Sequence, residues 1–78
     1  MFQQGDLVLV RREAENIDPR GDEPWTVPEG TVARISGWRG LDGVVVTWQD
    51  QGKTECAVVL RSDLRPAPRV AAQHRRRR

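Results

Sequence analysis

Tyrosine is missing from this chain, and cysteine, histidine and phenylalanine occur once each, as Cys56, His74 and Phe2. A single cysteine allows no internal disulfide, which fits a reducing compartment. One cysteine and one histidine do not assemble a zinc site. Catalysis by a positioned acid, base or nucleophile has little to draw on. His74 reads as a solvated residue of the C-terminal arm. Cys56 has no base predictably near it and reads as a small core or half-buried hydrophobe. Long hydrophobic runs are also absent. The longest aliphatic stretches, Leu7-Val8-Leu9-Val10 and Ala57-Val58-Val59-Leu60, are four residues long, too short for a membrane helix or a secretory core. Gly37, Gly40 and Gly43 recur at three-residue steps but lead into no Gly-Lys-Ser/Thr phosphate loop. Asp18, Asp22 and Glu23 lack calcium-loop spacing and read as solvated acids. The expectation is a cytoplasmic binding protein, not an enzyme. It has no catalytic residue, metal, cofactor or small-molecule substrate, and no membrane contact.

Acids are missing from the last ten residues. The formal net charge of +2 conceals this division. Residues 1–68 carry eight basic side chains against all eleven acids, a net of −3, whereas residues 69–78 carry Arg69, Arg75, Arg76, Arg77 and Arg78 and no acid, a net of +5. Such asymmetry marks a basic arm on an acidic body. Residues 1–66 are expected to form the body and residues 67–78 a flexible arginine-rich tail, at best a frayed helix over 70–73.

What is present is short strands and tight turns. With 78 residues the chain makes one domain with a small core. Leu7–Val10 is the first predicted strand. Val8 and Val10 share one face, and Leu7 and Leu9 the other. One pair therefore needs cover from the C-terminal segment, from the following loop or from a second subunit. Residues 13–29, with three prolines, one glycine and six acids, show neither strand nor helix period and read as a long loop. Within it Trp25 either folds back as a lid or stands out as a contact for a partner. The second strand is predicted over Thr31–Ile35, running on to about Trp38, with a bulge bringing both Val32 and Ile35 to the core. The third is Val44–Gln49, with Val44, Val46 and Trp48 facing inward. Asp50-Gln51-Gly52 makes a hairpin turn into Lys53–Leu60. "RSDL" reads as a single helical turn anchored by Leu64. A short fifth strand at Leu64-Arg65 is ended by Pro66 and Pro68.

The segments "GDLVLV", "EGTVARI", "VVVTW" followed by "DQG", and "LRSDLRP" together resemble the SH3-like barrel over residues 5–66. KOW-type, Tudor-like and Mind-bomb-type modules and several small bacterial and phage domains share that layout. The resemblance implies an all-β, five-stranded SH3-like barrel with a long first loop. It assigns no single family, and a superfold does not transfer function. "GDLVLV" and "RISGW" also look loosely similar to the type II plasmid-borne dihydrofolate reductases. Their pore is built on a Val-Gln-Ile-Tyr segment, where this chain reads Glu55-Cys56-Ala57-Val58-Val59-Leu60, so the residues that would hold substrate and cofactor are missing.

Two working surfaces follow. The arginines of "HRRRR", with Arg69, present guanidinium groups that take phosphate oxygens with two donors each and release counterions from RNA or DNA without reading sequence. Trp38, Arg39 and Arg34 would add a body contact, with Trp48 and Lys53 joining them in one aromatic–basic patch. The alternative is a protein-interaction module, a homo-oligomer included, that uses Trp25 in its acidic Pro/Trp loop together with Leu7 and Leu9. In that case the tail docks on the body's own acidic loop, residues 13–29, or on a partner, or serves only as a charged solubiliser or charge balancer.

Overall fold

The computed structural model describes residues 2–17 and 25–67. Their elements are β1 (Leu7–Val10), β2 (Ala14–Glu15), β3 (Thr26–Val27), β4 (Val32–Arg39), β5 (Gly43–Asp50), β6 (Lys53–Leu60), a 3₁₀ turn (Arg61–Asp63) and β7 (Leu64–Pro66). The fold is all-β. Five strands form one antiparallel sheet in the order β6-β5-β4-β1-β7, and β2 and β3 form a separate two-stranded ribbon. Among the described residues no ladder joins β6 to β7.

The centre of the sheet is a meander, β4-β5-β6. Its second turn is set by backbone chirality: Gln51 and Gly52 have φ of 53° and 82°, the two positive values of the two-residue turn that matches strand twist. Asp50 consequently faces Lys53, and every later pair follows in register to Gly43 opposite Leu60. The first turn closes tightly. A Cβ added at Gly43 would run into the Arg39 carbonyl, so a side chain there would displace backbone.

One face of the sheet carries the core: Val8, Val10, Ala33, Ile35, Val44, Val46, Ala57, Val59 and Leu64, with Ala14 and Val27 arriving from the ribbon. Phe2 and Trp48 pack on its margin. Ile35 is the largest side chain that is fully buried. Valine suits this setting, since β-branched side chains are already stiff and pack well on a pleated surface.

Three expectations need correction. The segment 13–29 is not structureless. Ala14 faces Val27 and Glu15 faces Thr26 across the ribbon, and both Ala14 and Val27 are fully buried. Two-residue strands flanked by charge and proline carry too little periodicity to be read from sequence. The bulge in β4 falls elsewhere, between Ile35 and Gly37. Ala33 and Ile35 point into the core, while Val32 is half-buried on the other face, opposite Leu9. Cys56 is exposed: it pairs with Thr47 on the outer face, while its neighbour Ala57 points inward.

The ribbon also covers the edge of β6. Ile17 N–H donates to the Val58 carbonyl at 2.8 Å, and Val58 N–H donates to Asn16 Oδ1 at 3.0 Å. These bonds satisfy edge groups that a bare strand would offer to another chain. At the opposite edge β7 pairs with β1, Val10 facing Leu64.

Ile35→Ala is expected to destabilise the protein by about 2–5 kcal/mol, and Cys56→Ser by less than about 0.5 kcal/mol. Urea midpoints at constant slope measure both. Equal losses would mean that the inward and outward faces are misassigned.

Candidate functional site: a tryptophan-lined groove

Among the described residues the buried core is aliphatic, and the tryptophans lie at its margin or outside it. Trp48 occupies the last inward-facing position of β5 before the hairpin turn and is half-buried. The register places Glu55 directly opposite on β6, with Cβ atoms about 5 Å apart for such a pair. Trp25 comes from the start of the β3 arm. Its carbonyl accepts the Asn16 N–H at 3.0 Å, and its neighbour Thr26 donates through Oγ1 to Glu13 Oε2 at 3.2 Å. These bonds hold the ring 6.4 Å from that of Trp48, with the planes tilted by 50°, within the range of favourable aromatic pairs. Trp25 remains 38% exposed. The ring is thus folded back toward the body and still open to solvent.

Between the two rings and Pro28 lies an open groove of about 590 Å³. Pro28 is fixed by Thr31, whose Oγ1 donates to its carbonyl at 2.8 Å. Asp50 and Glu55 line the groove, and among the described residues no lysine or arginine does. Val32, Trp48 and Gln49 are shared with a shallower trough of about 250 Å³ that crosses the outer face of the sheet to Leu7. Gln49 Nε2 donates to Thr54 Oγ1 at 2.7 Å and stiffens the trough floor. Leu7 is 40% exposed and Leu9 half-buried, so the described residues leave the outer face of β1 only partly covered.

The expected single aromatic–basic patch is divided. Trp38 pairs with Val44 at one end of β5, and Trp48 lies four residues along it, ~13 Å at strand rise. Trp38 is 42% exposed and carries the Arg61 guanidinium 5.6 Å from its ring centroid, a cation–π contact. Arg39 precedes the turn that presents Leu41, 92% exposed. Arg34 belongs to neither end. It faces Leu7 and Thr47 across the sheet, and its Nη1 donates to the Gly5 carbonyl at 2.7 Å. Arg69, His74, Arg75, Arg76, Arg77 and Arg78, the helix considered over 70–73, and the acids Asp18, Asp22 and Glu23 lie outside the described residues.

Sequence reading missed Trp48 as a groove wall and Glu55 as its companion. The second was accessible: counting back from Asp50-Gln51-Gly52-Lys53 pairs 48 with 55. The Trp25–Trp48 contact was not, because it joins strands that share no ladder. Among the described residues no group of three or more His, Cys, Asp or Glu is placed to hold a metal, and no helix is long and apolar enough to cross a membrane. The chain matches no family model, no curated protein and no solved structure.

Asn16→Ala is expected to cost about 1–3 kcal/mol, because the part-buried Val58 N–H loses its acceptor, and to change the near-ultraviolet circular dichroism of the tryptophans by loosening the arm that carries Trp25. Unchanged dichroism at the same stability would detach the ribbon from the geometry of the groove.

Proposed function

We propose that this chain is a non-enzymatic binding module of the SH3-like type. Its working surface is the Trp25–Trp48 groove, and its ligand is an extended polypeptide segment carrying positive charge. The SH3-like reading is supported by the element order: a short first strand, a ribbon-bearing loop, a three-stranded meander, a 3₁₀ turn and a closing strand. One observation carries the functional reading, the tilted tryptophan pair flanked by Asp50 and Glu55. Two indole faces and Pro28 offer apolar area at little conformational cost. The stems of arginine or lysine, or proline rings, pack on such surfaces while the cationic heads reach the carboxylates. Pairing at an exposed carboxylate contributes little energy by itself. The rings therefore supply the affinity, and the acids select the sign of the ligand's charge.

A second reading is favoured by a separate observation, the five arginines without an acid in residues 69–78. In it the tail holds RNA or DNA by its phosphates, and Trp38, Arg39 and Arg61 at the far end of β5 provide an additional contact on which a base can stack. The two readings use different ends of the body and are tested separately.

For the groove, a synthetic peptide alternating proline and arginine is titrated into the full chain carrying Arg75→Ser, Arg76→Ser, Arg77→Ser and Arg78→Ser, with the indole N–H signals followed by NMR. Trp25 and Trp48 are expected to shift and Trp38 to stay. Trp25→Ala should weaken binding about tenfold, as loss of an aromatic anchor does. Movement of Trp38 alone would sink the groove.

For nucleic acid, anisotropy of labelled RNA and duplex DNA with the full chain should give a log–log salt slope of about −3 to −4.5. The fourfold serine variant, which keeps Arg69, should fall to about −1. Equal slopes for both proteins would remove the tail from the interaction.

A further inference from the structure

The groove has a candidate ligand within the same chain. Ala67 is the last described residue before the tail, and its N–H donates to the Leu7 carbonyl at 3.1 Å. The chain therefore leaves the body beside Leu7, which is where the outer-face trough begins. That trough passes Val32 and Thr47 and runs into the tryptophan groove at Trp48 and Gln49. From β1 across β4 to β5 is two strand spacings, ~10 Å. The eleven residues after Ala67 span up to ~36–40 Å when extended. The path is several times shorter than the tail that would follow it, so reach does not limit docking.

In the sequence Val70-Ala71-Ala72 precedes Arg75–Arg78, and along the path the part-exposed Leu7 and half-buried Val32 precede Trp25, Trp48, Asp50 and Glu55. Charge agrees as well, +5 over residues 69–78 against −3 over residues 1–68. Among the described residues the one basic side chain lining the trough, Arg34, has its guanidinium bonded to the Gly5 carbonyl.

We infer that in the free protein the arginine-rich segment of residues 69–78 lies across the trough and fills the Trp25–Trp48 groove of its own chain. This rests on the groove reading above and names its occupant. A tail held in this way shields its arginines from phosphates, and an incoming cationic ligand has to displace it. Groove and tail are then one competitive system: whatever binds the groove frees the arginines, and whatever binds the arginines opens the groove. Val70-Ala71-Ala72 also supplies the cover that the outer face of β1 lacks.

The test compares the full chain with the fourfold serine variant, Arg75→Ser through Arg78→Ser. The changes fall outside the described fold, and Ile35 and Val46 amide signals report whether it is intact. The indole signals of Trp25 and Trp48 are expected to differ between the two proteins. High salt should move the wild-type signals toward those of the variant, and dilution should leave the difference unchanged. Trp38 serves as the control and stays. A synthetic peptide of residues 68–78, added in trans, should bind the variant about tenfold more tightly than the wild type, since a tethered tail competes at roughly millimolar effective concentration. Glu55→Gln in the wild-type chain should shift the same two indoles toward their free positions.

If the variant binds the peptide at both tryptophans while the wild type binds it equally well, the groove stands and the self-docked tail is overturned. If the variant does not bind it, this occupant is overturned; failure of the proline–arginine peptide on the same variant would take the groove reading with it. If the wild-type shifts vanish on dilution, the tail fills the groove of a second copy, which overturns docking within one chain.

Discussion

An all-aliphatic core is the feature on which the rest of this structure depends. Among the described residues the sheet's inner face is packed with valine, alanine and two larger aliphatics, Ile35 and Leu64, while Phe2 and Trp48 pack only against its margin. Trp48 is half out at the end of β5, Trp38 stands at the other end, and Trp25 closes over Trp48 from the ribbon. Aromatic groups are here available as surface. In a domain of this size that surface is obtained at the expense of hydrophobic burial, which leaves stability resting on close packing and on a satisfied backbone.

The ribbon is the second dependency. Sequence places 13–29 in a loop, and most of its residues are indeed polar. Yet Ala14 and Val27 seal one side of the core, Asn16 and Ile17 bond the edge of β6, and Trp25 is carried to its partner by the same arm. Edge protection and groove formation are thus one structural event. A change that frees the arm opens a strand edge and dismantles the groove together, so effects on binding and on aggregation are expected to travel as a pair.

The distribution of charge belongs to the same picture. Acids dominate residues 1–68 and arginines residues 69–78. On the proposed self-docked reading, groove and tail are the two halves of one electrostatic contact, and the aromatic walls give it its affinity, because exposed ion pairs in water contribute little.

Much of this was legible in the sequence. A short aliphatic run located β1 and alternation located β5 and β6, the turn chemistry of Asp50-Gln51-Gly52 joined β5 to β6, and a helical turn anchored by Leu64 followed by a short closing strand was read where both occur. These features depend on neighbours within a few residues, where side-chain period and φ preference decide the outcome. The face that Cys56 presents, the position of the bulge after Ile35, the two-residue ribbon and the meeting of Trp25 with Trp48 were not legible. Each depends on which residues lie across a sheet or over its end, and no pattern local to one strand encodes its partner on another. Sequence determined the five strands of the main sheet and how the charge is divided. Tertiary structure alone decided that two tryptophans and two carboxylates share one groove, because Trp25 comes from the ribbon and meets Trp48 only once ribbon and sheet have packed together.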